Sequence, residues 1–257
     1  MTNLNGTLPN PFPGHVQATV AVAVTATKET PKYKFKKAGT NGNIIAVVLD
    51  ESGSMTSCWD QTIDGFNEFV QGQRNAENAG DAKLTLNKFD APKIETVFAD
   101  RPLAEVPALD KTNYRPNGGT NLLDCIGYTI EQVNDSLAKL KKKERPGVII
   151  TIMTDGAENA SRSFTNQQIK DMVKAAEDAD WTFTFLGANI DSFAVGSTFG
   201  MSVQNSVNYS TTNMGATMAA VSASTTRMRS AKLAGSTTAD IYASGLYTDD
   251  EKKNMTK

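Results

Sequence analysis

Residues 44–49 read Ile-Ile-Ala-Val-Val-Leu, and residues 50–55 read Asp-Glu-Ser-Gly-Ser-Met. Six consecutive apolar residues closed by an acidic one are the pattern of a strand buried on both faces, as in a parallel sheet covered by helices. A second such run, Val148 to Met153 (VIITIM), precedes Thr154-Asp155-Gly156, and a third strand is read at Trp181 to Leu186 (WTFTFL). Between the strands the period changes. Ile63, Phe66, Phe69 and Val70 recur at helical spacing, and Leu122, Ile126, Ile130, Val133, Leu137 and Leu140 mark one face of a long amphipathic helix. Ile169, Met172, Val173 and Ala176 mark another. Lys83–Phe89 and Lys93–Phe98, joined by Asp90-Ala91-Pro92, fit an antiparallel hairpin at a sheet edge. A short helix near 193–199, a small strand near 207–209 and a last helix over 212–232 complete the reading. The fold class predicted is α/β: a doubly wound, mainly parallel, Rossmann-like sheet with one antiparallel edge strand and helices on both faces.

In such a sheet a ligand lies outside the carboxyl ends of the strands, where strand order reverses. Three segments belong to that region: Asp50-Glu51-Ser52-Gly53-Ser54 after the first strand, Asn117-Gly118-Gly119-Thr120-Asn121 before the long helix, and Asp155-Gly156 after the second buried strand. An extended turn presents Asp50, Ser52 and Ser54 to one side. Two carboxylates and three hydroxyls form a hard-oxygen set suited to Mg²⁺ or Mn²⁺ and unsuited to soft metals. Each segment alone has a local alternative: Ser52 and Ser54 capping the following helix, Thr120 capping the long helix, Asp155 making an Asx-turn with Gly156.

Taken together, Asp50-x-Ser52-x-Ser54, Thr120 after Gly118-Gly119, and Asp155-Gly156 resemble the metal-ion-dependent adhesion site of von Willebrand factor A domains. The flanking blocks WDQTIDGFNEFV (59–70), GTNLLDCI (119–126), TDGAENAS (154–161) and FLGANID (185–191) look like the stand-alone A-domain proteins of bacteria and bacteriophages, over roughly residues 43–230. The resemblance implies metal ligation by Asp50, Ser52, Ser54, Thr120 and Asp155. It also implies a protein partner whose acidic side chain completes the metal shell. Glu51 is expected to point away; Asp124, one turn after Thr120, and Glu158, three residues after Asp155, could support the ligand residues from behind, but each is read rather as a helix or turn surface residue.

Composition narrows the chemistry further. The 257 residues, at ~150 per domain, allow one domain with extensions or two small ones. With 26 Lys plus Arg against 28 Asp plus Glu there is no electrostatic reason to expect a nucleic-acid or membrane partner. A single histidine, His15, argues against His-based metal sites and Ser-His-Asp systems, so no catalytic residue is assigned and no enzyme is expected. Cys58 and Cys125 are read as free thiols. No secretory signal or membrane span is evident, so a cytoplasmic setting, or a virion if phage-encoded, is expected.

Domain boundaries are read at 1–42 for an N-terminal arm, 43–232 for the A domain and 233–257 for a charged C-terminal tail. The arm, with its alternating Val16–Thr27 segment, is the candidate for homo-oligomer or assembly contacts. Two further readings compete with the binding module. One is a virion or assembly component using the domain as glue. The other is a Mg²⁺-dependent phosphohydrolase of the haloacid-dehalogenase type, which needs a second Asp where Ser52 stands.

Overall fold

The computed structural model describes residues 33–188, 191–201, 206–210 and 213–255. Six strands form one sheet in the order β3-β2-β1-β4-β5-β6: β1 (Asn43–Asp50), β2 (Ala82–Asp90), β3 (Lys93–Pro102), β4 (Gly147–Thr154), β5 (Trp181–Ala188) and β6 (Ser206–Tyr209). All neighbours are parallel except β2 and β3, so the hairpin and its edge position are as the sequence predicts. Strand order reverses between β1 and β4, whose carboxyl ends carry Asp50 and Thr154-Asp155. Splitting of the chain to the two sides of the sheet at this point opens a crevice.

Alternation along β1 builds both faces of the core. Ile45, Val47 and Leu49 face the layer of α1 (Trp59–Asn75) and α5 (Met214–Leu233), while Ile44, Ala46 and Val48 face α2 (Leu122–Ala138) and α3 (Asn166–Glu177). The remaining helices are α4 (Ser192–Thr198), α6 (Thr238–Ala243) and α7 (Asp249–Met255).

Two boundary readings change. Residues 233–257 are not merely a charged tail: Ile241, Leu246, Tyr247 and Met255 are buried in the α1/α5 side of the core. Their charged neighbours face outward, and Arg227 of α5 pairs with Glu251 of α7 at 2.8 Å. Short helices with one or two anchors each carry too little periodicity to stand out in the sequence. The last ten residues assigned to the arm also lie on the domain. Phe35 packs on Trp181, whose indole donates to the Lys36 carbonyl, and the Ala38 and Gly39 amides donate to Ala179 and Pro146. This strap meets the amino ends of β4 and β5, away from the crevice. Val16–Thr27, His15 and the rest of 1–32 lie outside the described residues.

Burial of a Leu, Tyr or Met side chain contributes about 1.5–3 kcal/mol each. Truncation after Gly245 removes Leu246, Tyr247 and Met255 from the core, and its melting temperature is expected to fall by about 10 °C or more. An unchanged melting temperature, read by calorimetry, restores the tail reading.

Candidate functional site

Asp50 ends β1 with its carboxylate fully buried. One oxygen, Oδ1, accepts the Ser52 amide at 2.7 Å, and Oδ2 accepts the Thr154 hydroxyl at 2.5 Å. The first bond folds the chain back at once, so that Ser52, in extended conformation, begins the turn into the 3₁₀ segment Gly53–Cys58. Ser52 Oγ then lies 3.1 Å from Ser54 Oγ, and Ser54 Oγ donates to Asp155 Oδ1 at 2.6 Å. A Cβ at Gly156 would sit 3.1 Å from Thr120 Oγ1 and 3.5 Å from Ser54 Oγ, which puts both hydroxyls on one side of Gly156. The five residues singled out in the sequence therefore converge on one crevice.

The local alternatives for these residues fail. Ser52 makes no side-chain cap bond to the segment it precedes, and the N-cap of α2 is Asn121, also without one. The Gly156 amide donates to Thr154 Oγ1. The Ser52 and Ser54 hydroxyls thus turn to each other, and Ser54 donates to Asp155.

Backbone bonds knit the crevice loops together. Gly53 donates to the Gly118 carbonyl, Asn117 to Glu51 and Ala91 to Gly119. Gly118, at φ +65°, makes the turn that brings these carbonyls inward, a conformation that costs glycine nothing. Below, the buried Tyr114 hydroxyl donates to the Asp50 carbonyl at 2.7 Å.

Glu51 does point away from the crevice oxygens, but into the protein. Its carboxylate is 2.9 Å from Lys88 Nζ and accepts the Arg115 amide at 2.5 Å, while Lys88 also donates to the Asn113 carbonyl. Both side chains are almost completely buried. The pair fastens the Asp50 turn to the 110–117 loop, a role the sequence did not disclose because Lys88 lies in a strand.

Of the two readings open for Asp124 and Glu158, the structure favours the supporting one over the surface one. Asp124 is buried and accepts the amides of Arg162, Ser163 and Phe164, whereas Glu158 accepts those of Leu123, Ala160 and Ser161. Their partners lie some forty residues away or in an irregular loop, so no local period reveals them. Tyr209, at the end of β6, is also buried, and its hydroxyl has no hydrogen-bond partner among the described residues.

Burial raises the Asp50 carboxyl to about 6, against the opposing effect of the Ser52 and Thr154 hydrogen bonds, and burial raises Asp155 as well. A cation between them would reverse that cost. The donor set of carboxylate and hydroxyl oxygens suits a hard ion: Ser52 Oγ and Ser54 Oγ, 3.1 Å apart, stand near the spacing of neighbouring octahedral corners, about 3 Å for metal–oxygen bonds of about 2.1 Å, whereas the 2.6 Å hydrogen bond from Ser54 to Asp155 would have to open. No group of three His, Cys, Asp or Glu side chains converges among the described residues, so the hydroxyls are needed to complete any such site. Both cysteines are buried and free, and burial pushes their thiols up, away from reactivity.

Solved structures share the architecture. The pilus adhesin SpaC from Lactobacillus rhamnosus GG, in its open conformation, matches with a TM-score of 0.55 at 13% identity, over 76% of this chain and 31% of that one. Proximal thread matrix protein 1 from the mussel byssus matches at 0.52 and 13% identity, over 72% and 47%. The same mussel protein with a zinc-occupied MIDAS motif matches at 0.50 and 15% identity, over 72% and 48%. The chain thus spans less than half the length of either protein. No family model and no curated protein matches it. At these identities the likeness is one of fold, and the fold is that of a von Willebrand factor A domain.

The Asp50 shift has a signed consequence in the metal-free protein. Because the folded-state value, about 6, exceeds the unfolded value, stability is lost as pH rises from about 4 through about 6. The full penalty, about 3 kcal/mol, applies above that window. In EDTA, Asp50→Asn is expected to raise the melting temperature by several degrees at pH 7.5 and to give no gain at pH 4. An equal effect at both pH values, in thermal melts across the range, contradicts this assignment.

Proposed function

We propose that the protein is a divalent-metal-dependent protein-binding module. Asp50, Ser52, Ser54, Thr120 and Asp155 hold Mg²⁺ or Mn²⁺, directly or through water, and an acidic side chain of a protein partner completes the shell. The observation that carries this reading is the convergence of only two carboxylates with three hydroxyls at the strand-order reversal. Two anionic ligands balance a divalent cation without excess negative charge, so the ion keeps its attraction for a further carboxylate.

The chain's own residues do the positioning. Thr154 and the Ser52 amide fix the two oxygens of Asp50, and Ser54 orients Asp155. Bound metal supplies electrostatic attraction for an oxygen anion at this surface. Hydrolytic chemistry has less support: Ser52 occupies the place of the second Asp that a haloacid-dehalogenase-type mechanism needs, and its hydroxyl contacts Ser54. Two free buried thiols suit a cytoplasmic setting, which we include in the proposal.

Titration calorimetry is expected to show one Mn²⁺ or Mg²⁺ bound by the wild type and no binding by Asp50→Ala or Asp155→Ala. Equal affinity in these variants would sink the site assignment. Metal-stimulated turnover of a generic phosphate ester, lost in Asp155→Ala, would overturn the binding-module reading.

A further inference from the structure

Thr120 and Asp155 come from different parts of the chain, yet their loops are joined by a dense set of contacts. The Thr120 amide donates to Asn159 Oδ1 at 2.9 Å, and its carbonyl accepts the amides of Asn159 and Ala160 at 3.0 and 3.1 Å. Both backbone polar groups of Thr120 are therefore satisfied by the loop that follows Asp155. One turn further on, carboxylates are exchanged. Glu158 Oε2 accepts the Leu123 amide at 2.9 Å, filling the vacant donor of the first turn of α2, and Ser161 Oγ accepts that of Asp124 at 3.1 Å. In return Asp124 takes three successive loop amides, Arg162 at Oδ2 and Ser163 and Phe164 at Oδ1, each at 2.9 Å.

The end of the loop is seated by packing. A Cβ at Gly127 would stand 2.6 Å from Cε2 of Phe164, so the ring lies directly against the α2 backbone. A side chain there would push it off.

We propose that Asp124, Glu158 and Asn159 are positioning residues that weld Thr120 and Asp155 into one preformed half of the metal site, an inference that rests on the metal-centre reading above. Fixed amides and charge-assisted bonds hold the two oxygens in place before any ion arrives, so metal binding has little loop ordering to do. The other half, the Asp50–Ser54 turn, is joined to this unit by the Gly53–Gly118 bond and by Glu51. Glu158 accepts two hydrogen bonds at each oxygen and Asp124 three in all, so both carboxylates are spent on the loops rather than on an ion.

The test compares the full chain with Glu158→Gln, Asp124→Asn and Asn159→Ala, and with Asp135→Asn, an exposed α2 control. In Glu158→Gln the amide nitrogen faces the Leu123 N–H, and in Asp124→Asn it faces that of Arg162. Mn²⁺ uptake is followed by the free-ion EPR signal, and hydrogen exchange of the 120–124 and 158–164 amides is measured in EDTA. Wild type and control are expected to bind alike, and the three variants about 10–100-fold more weakly. Faster exchange in both segments is expected without metal, with the melting of the rest of the molecule preserved. Wild-type affinity in folded Glu158→Gln and Asn159→Ala overturns the inference and leaves the metal site standing. No Mn²⁺ uptake by the wild type overturns the metal-centre reading and the inference with it.

Discussion

The carboxylate of Asp50 is out of water, and the loops around the crevice are built to tolerate that. A buried charge is costly unless hydrogen bonds or an opposite charge compensate it. Here the compensation is partial: an amide and a hydroxyl occupy its two oxygens, yet burial still holds the carboxyl near 6. Asp155 shares the direction of shift. The crevice is therefore electrostatically incomplete as a purely protein environment, and that incompleteness supports the proposed metal role. In the proposed role a bound cation would offset this cost, which would link loading to stability through mass action.

The surrounding structure limits the ways this tension can relax. If the loops were free, the hydroxyls would turn to solvent and the carboxylates would separate. Instead Tyr114 pins the Asp50 carbonyl from beneath, and Lys88 and Glu51 hold the turn from the side. That ion pair is itself buried, so its removal one partner at a time would leave an uncompensated charge, an effect of about 3–5 kcal/mol. Its value lies less in net stability than in fixing which way the residue next to Asp50 points. Adjacent acidic residues are thereby given opposite destinations, one toward the crevice and one toward an internal lysine.

Much of this frame was legible in the sequence because its signals are local. The runs at 44–49 and 148–153 are buried on both faces and so lack alternation, and the helix face from Leu122 to Leu137 is continuous. Asp50, Ser52, Ser54 and Asp155 stood out because they follow buried strands, and Thr120 joined them through the resemblance to von Willebrand factor A domains. The partners of Asp124, Glu158 and Glu51 were not legible, since a carboxylate that accepts amides from another loop looks like any surface acid until the loops are brought together. The 233–257 segment misled for a related reason. Its core anchors are few and its charges many, and Leu246 and Tyr247 owe their burial to a surface that only the assembled α5 provides.

Helix α5 extends the same argument to the rest of the molecule. It is buried on several sides, with Met218, Val221 and Met228 in the core and Thr217, Ser224, Thr225, Arg229 and Lys232 buried as well. An apolar stripe alone would leave its rotation loosely set. Direction comes from polar contacts to backbone carbonyls: Arg229 reaches Gln73 in the last turn of α1 and Asn78 just beyond it, and Lys232 reaches Asp180 before β5 at 2.6 Å. The Gln73 carbonyl lies in the last turn of α1, where carbonyls lack intrahelical donors and carry partial negative charge, so the buried Arg229 meets an acceptor that needs it. Burial lowers both groups, Lys232 to about 8, which is the cost of the arrangement. Fixed carbonyls thus do for α5, at one end of the sheet, what amide-loaded carboxylates do for the crevice loops at the other.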